Sequence, residues 1–171
     1  MAVPIPSKVY LDTSVIVAAI SSGDPHYLAC STYCTALANN NSTIYFSQLL
    51  RLEYAQFIRK LATDATYALP SSIYQQYQLQ DFGTNMMIRH QWMRFLMSQF
   101  DALVATFYTV RELPVGKEIP PHSIQLMSLH GLESYDAAHM ATALREKVPD
   151  LATTDRKFSR AASGLRIHLI H

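Results

Sequence analysis

The stretch Lys-Val-Tyr-Leu-Asp-Thr-Ser-Val-Ile-Val at residues 8–17 decides the fold, because a short apolar run ends in an acid and leads directly into a helical pattern. Residues 8–12 have the length and composition of a buried strand, and the hydroxyl residues that follow are candidate helix caps. A second run of this kind, Leu-Ala-Thr-Thr-Asp, spans residues 151–155. Two strands that each end in an aspartate predict a sheet with acids along one edge.

Strand and helix patterns alternate along the chain, and no internal repeat or linker divides it. Further strand-like runs occur at 43–46 and 165–169, and helical patterns separate them. Such alternation is typical of a parallel sheet covered by helices on both faces. We therefore predict an α/β fold, a three-layer α/β/α sandwich with a mostly parallel sheet of four or five strands. Residues 1–171 are expected to form a single domain, with a helical elaboration at about 63–113.

The elaboration contains the longest helical pattern, which runs from Thr84 to Glu112 and is rich in Met, Phe and Trp. A shorter helix is expected near 71–79, and Leu113–Pro121 is expected to be a proline-marked loop. The segment 86–95 mixes arginines with aromatic residues. It is interpreted as the buried face of a helix, an RNA-binding surface or a contact with a partner protein.

Composition indicates a globular protein and argues against several classes of function. The chain has 171 residues, of which 49% are hydrophobic, and a net charge of +1, so its overall charge does not indicate nucleic-acid binding. No apolar run approaches the roughly 18 residues that span a bilayer, and the amino terminus lacks a signal-peptide pattern. A cytosolic protein without membrane contact is therefore expected. Cys30 and Cys34 supply no zinc set and are expected to be buried, and the sequence has neither a nucleophile elbow nor a glycine-rich phosphate loop.

Four acids occupy positions from which the predicted fold would direct them to one point: Asp12, Glu53, Asp136 and Asp155. Ligands of open parallel sheets collect beyond the carboxyl ends of the strands, where Asp12 and Asp155 stand. Asp136 opens a helix marked by Ser134, whose N-terminus favours the ionised carboxylate, and Glu53 lies at the edge of an apolar helical stripe. Clustered carboxylates repel one another unless a hard cation intervenes, so the sequence predicts a magnesium or manganese site.

Each acid taken alone also has a structural interpretation, as a helix cap, a helix-dipole residue or the partner of an arginine, and their joint placement favours the site. The hydroxyls of Thr13 and Thr153 are candidates to orient the carboxylates or a bound water. Arg156 and Lys157 are either phosphate contacts or solvated surface charges. His139 could touch the site, although a hydrogen-bonded helix histidine is the commoner role.

Four motifs resemble, in the same order, the acidic motifs of PIN-domain ribonucleases. They are Val-Tyr-Leu-Asp-Thr-Ser-Val-Ile-Val (9–17), Leu-Arg-Leu-Glu-Tyr (50–54), Tyr-Asp-Ala-Ala-His-Met-Ala-Thr-Ala (135–143) and Thr-Thr-Asp-Arg-Lys-Phe (153–158). Within that family the chain is most similar to the VapC-type toxins of bacterial toxin–antitoxin pairs, although the segment between the second and third motifs is longer than in the compact toxins.

The resemblance implies a compact α/β/α sandwich and a Mg²⁺- or Mn²⁺-dependent endoribonuclease. The acids that would hold the metal and carry out catalysis are Asp12, Glu53, Asp136 and Asp155. RNA as substrate, an antitoxin protein as partner and a homodimer are the interactions expected from it.

Two other functions stay open. The same acids could serve a structure-selective nuclease that processes DNA or RNA, and a neighbouring antitoxin gene would favour the toxin over that alternative. The second is an inactive PIN-like scaffold that only binds RNA or protein. The presence of all four acids argues against the scaffold, since binding alone does not require them.

Overall fold

The computed structural model of the chain describes residues 5–63, 86–160 and 164–171, and the sheet lies within these ranges. The strands are β1 (Lys8–Leu11), β2 (Thr43–Ser47), β3 (Thr109–Leu113), β4 (Asp150–Thr153) and β5 (Arg166–Leu169). Their order across the sheet is β3-β2-β1-β4-β5, and every neighbouring pair is parallel. The predicted parallel sheet is confirmed, with five strands.

Helices cover both faces of the sheet and complete three layers. In the described ranges they are α1 (Thr13–Ile20), α2 (Tyr27–Asn39), α3 (Gln48–Thr63), α4 (Met86–Val104), α5 (Ile119–His130), α6 (Ser134–Arg145) and a 3₁₀ helix (Arg156–Arg160). None of these described helices combines the length and apolarity that crossing a membrane requires.

The side chains of the central strand β1 alternate between two cores. Val9 and Leu11 pack into the first core with residues of α1 to α4, whereas Tyr10 packs into the second core with residues of α5 and α6. In the second core Tyr10 lies in register with Tyr45 of β2 and Leu151 of β4. Because both faces of the sheet are buried, its central strands are nearly continuous apolar runs rather than alternating ones.

The helix predicted over Thr84–Glu112 was wrong at its carboxyl end. Helix α4 ends at Val104, and Thr109–Leu113 is the edge strand β3, which pairs with β2. Apolar residues continue across the turn between helix and strand, so hydrophobic content alone did not mark the boundary. Residues 109–113 therefore belong to the sheet and not to the helical elaboration. The helix expected near 71–79 lies outside the described residues.

The predicted loop over Leu113–Pro121 is also shorter than expected. Helix α5 already begins at Ile119, with Pro120 and Pro121 in its first turn. Proline is tolerated there because the first N–H groups of a helix have no partner within the helix. At the other end of α5, Gly131 adopts a left-handed conformation with φ of 66°, a common way for a helix to end.

Candidate active site

Asp12 lies at the carboxyl edge of the sheet, where β1 and its parallel neighbour β4 end. Its backbone N–H donates to the Ala152 carbonyl oxygen at 3.0 Å, which continues the pairing of β1 with β4. The residue is only 4% exposed. Its Oδ2 accepts hydrogen bonds from Ser14 Oγ at 2.6 Å and from Thr153 Oγ1 at 2.9 Å. Hydroxyls from two elements therefore hold this carboxylate in one orientation.

Asp155 follows β4 at the same edge and is tied to Asp12 through Thr153. The Asp155 backbone N–H donates to Thr153 Oγ1 at 3.0 Å, and the Thr153 hydroxyl itself donates to Asp12. Asp155 Oδ1 accepts the Lys157 backbone N–H at 2.8 Å. The Thr153 hydroxyl thus links the carboxylate of Asp12 to the backbone of Asp155, the two strand-end acids that the sequence singled out.

Asp136, in the first turn of α6, is electrostatically coupled to both strand-end acids. Burial, followed by the charges of Asp12, Asp155 and Glu133, raises its pKa from 3.8 to about 7, against a smaller opposing effect of His139. The helix N-terminus was expected to favour the ionised carboxylate, but burial and repulsion outweigh it. Negative charge therefore accumulates where β1, β4 and α6 meet.

Glu53 is positioned by two donors rather than by bulk solvent. It projects from α3, and its Oε2 accepts hydrogen bonds from Thr13 Oγ1 and His139 Nε2. The Glu53 side chain is 18% exposed, whereas that of His139 is fully buried. Thr13 therefore orients a carboxylate, as the sequence suggested for its hydroxyl, and the carboxylate is that of Glu53.

The His139 side chain forms a buried polar network that the sequence did not reveal. Its Nδ1 lies 2.8 Å from the Tyr10 hydroxyl and 3.3 Å from Ser47 Oγ. Burial lowers the pKa of His139, but the hydrogen bond to Glu53 and the charges of nearby acids, Asp12 among them, together raise it by more, so the net direction is upward. The expectation of a hydrogen-bonded helix histidine is confirmed. Ser47 is the last residue of β2, as Thr153 is of β4. This strand-end position is the sequence feature from which a role for Ser47 near the site could have been predicted.

The two basic residues after Asp155 lie on the surface beside the acids. Arg156 and Lys157 are both exposed at the start of the 3₁₀ helix. Lys157 Nζ forms an ion pair with Glu133 at 2.5 Å, which raises the pKa of the lysine. A phosphate contact by either residue stays a prediction.

The residues of this edge fit a hard divalent cation in donor type and in charge. Carboxylates and hydroxyls are the oxygen ligands that Mg²⁺ and Mn²⁺ accept, and a cation would relieve the repulsion that raises the pKa of Asp136. Within the described ranges, however, no three or more His, Cys, Asp or Glu side chains are grouped closely enough to hold a metal ion as they stand. The donor set is thus suitable, and the ligand geometry is not already assembled.

Comparisons with known proteins agree with this fold. Residues 96–164 match the family model described as PIN domain, a range that includes Asp136 and Asp155 but neither Asp12 nor Glu53. A comparison with curated protein sequences finds no match.

Solved structures extend the likeness to nearly the whole chain. VapBC2 from Rickettsia felis, bound to a DNA fragment from its promoter, has a TM-score of 0.60 and 16% identity over 96% of this chain and 99% of that one. VapC20 from Mycobacterium tuberculosis, a toxin that cleaves the sarcin–ricin loop, has a TM-score of 0.57 and 14% identity over 90% and 94%. FitAB bound to an IR36 DNA fragment has a TM-score of 0.52 and 16% identity over 95% and 98%. The chain therefore has a PIN-like fold, which it shares with these toxin–antitoxin structures, and residues 96–164 match the PIN domain family model.

Proposed function

We propose that the protein is a divalent-metal-dependent endoribonuclease, the toxin of a toxin–antitoxin pair. The observation that carries the proposal is the coupling of Asp12, Asp136 and Asp155 at the carboxyl edge of the sheet, where their charges and burial raise the pKa of Asp136 to about 7. Uncompensated acids at a ligand-binding edge destabilise the empty fold, so their presence favours a cationic cofactor. The PIN fold supports nuclease chemistry as the use of that cofactor.

The proposal assigns the three aspartates to metal binding. Asp12 is pre-oriented by Ser14 and Thr153, and Asp155 is linked to it through Thr153. A bound Mg²⁺ or Mn²⁺ would supply the positive charge and the activation of water that phosphodiester hydrolysis requires. The aspartates also repel a phosphodiester while they are uncompensated, so substrate approach would depend on metal loading.

Glu53 is assigned to orient or deprotonate the attacking water, or to serve as a further metal ligand. Its Oε2 accepts the hydrogen bonds from Thr13 and His139. Its Oε1 takes part in neither bond and is the atom we assign to accept a proton from water. Arg156 and Lys157 are assigned to the substrate phosphates, since both lie beside Asp155 on the surface.

RNA as the substrate and an antitoxin as the partner are proposed by analogy with the structural neighbours. VapC20 is a sarcin–ricin loop cleaving toxin, and the VapBC2 and FitAB structures contain the antitoxins VapB and FitA. A cytosolic location and a homodimer, both expected from the sequence, complete the proposal.

The test is cleavage of labelled single-stranded and structured RNA by the wild type, Asp136→Asn and Glu146→Gln, each with Mg²⁺, Mn²⁺ or EDTA. Glu146 is an exposed acid just beyond the far end of α6, which makes it a matched control for Asp136. We expect metal-dependent cleavage by the wild type and Glu146→Gln, and its loss in Asp136→Asn. Undiminished cleavage by Asp136→Asn, or cleavage in EDTA, would contradict the assigned site. No cleavage together with no metal binding would favour the scaffold alternative.

A further inference from the structure

One buried side chain, that of His139, connects the candidate site to strands β1 and β2. His139 is 0% exposed, and its ring contacts groups from four elements. Nδ1 lies near the Tyr10 hydroxyl of β1 and the Ser47 hydroxyl of β2, whereas Nε2 contacts Thr13 of α1 and Glu53 of α3. Such a residue can transmit the rigidity of the sheet to a carboxylate at its edge.

The partners of the ring indicate the directions of its hydrogen bonds. The Ser47 backbone N–H donates to the Tyr10 hydroxyl oxygen at 3.0 Å. The Tyr10 proton is then directed toward His139 Nδ1, 2.8 Å away, so Nδ1 acts as the acceptor. Nε2 must consequently carry the ring proton and donate it to Glu53 Oε2. In the imidazolium form Nε2 also carries a proton, so the donation to Glu53 is the same in both states.

The carboxylate that receives this bond is otherwise poorly restrained. The Glu53 carboxylate stands on a long, rotatable side chain, and within the described part of the chain its hydrogen-bond donors are Thr13 and His139, which both contact Oε2. The Thr13 hydroxyl can rotate, whereas the His139 ring is buried and held at its other nitrogen. The ring is therefore the rigid one of the two donors.

We propose that His139 is a positioning residue. It holds Glu53 toward the acidic edge, the carboxyl edge of the sheet with Asp12 and Asp155, in an orientation set by Tyr10 and Ser47. The inference deepens the proposed nuclease function and rests on it for its catalytic consequence. His139 itself is assigned no contact with substrate or metal. Its effect on the reaction passes through Glu53.

A variant pair separates positioning from space filling. In His139→Gln the amide Nε2 can still donate to Glu53, whereas His139→Leu fills the cavity without a donor. We expect His139→Leu to lower kcat about 10- to 100-fold with little change in KM, as for other groups that orient an active-site residue, and His139→Gln to recover most of that loss. The control is His168→Leu. His168 is a largely buried histidine of β5 whose Nε2 lies 2.7 Å from Asp150 Oδ1. The kcat of His168→Leu should stay within about twofold of the wild-type value.

A double-mutant cycle tests whether the effect passes through Glu53. Adding His139→Leu to Glu53→Gln should lower kcat by less than about twofold, because the carboxylate that His139 orients is already absent. A full additional loss in the double variant, or equal activities of His139→Gln and His139→Leu, would overturn the proposal.

A spectroscopic readout keeps the inference testable without any activity. In protein labelled with ¹⁵N-histidine, the His139 Nε2–H resonance should be observable in slow exchange with water, and it should shift in Glu53→Gln. A ring protonated only at Nδ1, or an Nε2–H signal indifferent to Glu53→Gln, would overturn the proposal. Absence of both RNA cleavage and metal binding in the wild type would count against the nuclease function instead, and the resonance would still decide the His139–Glu53 contact.

Discussion

The two ends of β4 carry acids in opposite electrostatic surroundings. At the amino end, Asp150 is 2% exposed and accepts hydrogen bonds from Arg166 Nη2 and His168 Nε2, each at 2.7 Å. At the carboxyl end, Asp155 lies with Asp12 and Asp136, and the pKa of Asp136 is raised to about 7. The fold supplies hydrogen-bond donors, one of them an arginine, to the acid at one end and accumulates negative charge at the other.

We interpret this difference as separating a structural acid from the acids that are assigned to metal binding. A buried carboxylate with its own partners contributes to the folded state, whereas repelling carboxylates need a ligand of opposite charge. The presence of a cavity is not what singles out the carboxyl end. A cavity of about 630 Å³ adjoins the amino end of β4, with Tyr33, Asp150 and His168 in its lining. The acidic edge is identified by its charge distribution.

The largest effect is expected from replacing one acid at each end of the sheet, Asp12 or Asp150, by asparagine. Asp12→Asn should lower RNA cleavage more than about 100-fold, because it removes a proposed metal ligand and not merely a group that orients one. Asp150→Asn should keep the specific activity of the wild type but lower the free energy of unfolding by about 1–3 kcal/mol, since it weakens two charge-assisted hydrogen bonds. Single-turnover cleavage and urea unfolding measure the two quantities.

The comparison between the ends would fail if Asp150→Asn lost cleavage while remaining folded under the assay conditions. It would fail equally if Asp12→Asn were as active as the wild type. Circular dichroism of both variants at the assay temperature is the control for folding.

A smaller effect concerns the stability of the metal-free protein. The pKa of Asp136 is raised in the folded state from 3.8 to about 7, so the native state binds a proton more tightly than the unfolded chain. Stability should therefore fall as pH rises from about 4 to 7, and the loss is complete above 7. In EDTA at pH 8, Asp136→Asn should unfold with a free energy about 1–2 kcal/mol above wild type. This is less than the full shift implies, because the carboxyl is partly exposed.

Two conditions serve as controls for this effect. Near pH 3, below the ordinary pKa of 3.8, the wild type and Asp136→Asn should be about equally stable, because the carboxyl is then mostly protonated in both the folded and the unfolded wild type. At pH 8, saturating Mg²⁺ should stabilise the wild type, by about 2.7 kcal/mol at a concentration 100 times the Kd, and the variant much less. A variant clearly less stable than wild type in EDTA at pH 8 would make Asp136 a structural partner.

The parts of the site that are local in sequence could be predicted, and the long-range parts could not. Asp12 and Asp155 each end a short apolar run, so strand-end position and a parallel sheet suffice to bring them to one edge. The His139 contacts join residues separated by 86 positions to Glu53 and 129 to Tyr10. No periodicity encodes such pairings, because they depend on how helices pack on the sheet.

Interactions that exist only in the assembled fold explain the remaining differences between the predictions and the structure. Burial raises the pKa of Asp136 most and depends on the assembled fold, whereas the repulsion among clustered acids that adds to it was predicted from the sequence; together they outweigh the helix dipole. Strand β3 was missed because it follows helix α4 after a short turn, and its neighbour β2 provides the pairing that makes it a strand. The register with β2 is a tertiary feature and therefore invisible to local pattern.

The smallest expected effect concerns the surface beside the acids. The Lys157 and Glu133 side chains are 50% and 74% exposed, so solvent screens their ion pair and Lys157→Ala should barely change urea unfolding. If Lys157 contacts a phosphate, the same variant should weaken RNA binding and reduce the slope of log K against log salt by about 0.7–1. Binding is best measured in Asp136→Asn, so that the RNA stays intact.

Lys8→Ala is the matched control, since Lys8 is an exposed lysine at the opposite edge of the sheet, where β1 begins. Its salt slope should equal that of the parent protein. Equal reductions in the two variants would mean that RNA responds to total charge and not to a contact beside Asp155. A reduction confined to Lys157→Ala would place the RNA backbone at the carboxyl end of β4, the end opposite Asp150 and its ion pair with Arg166.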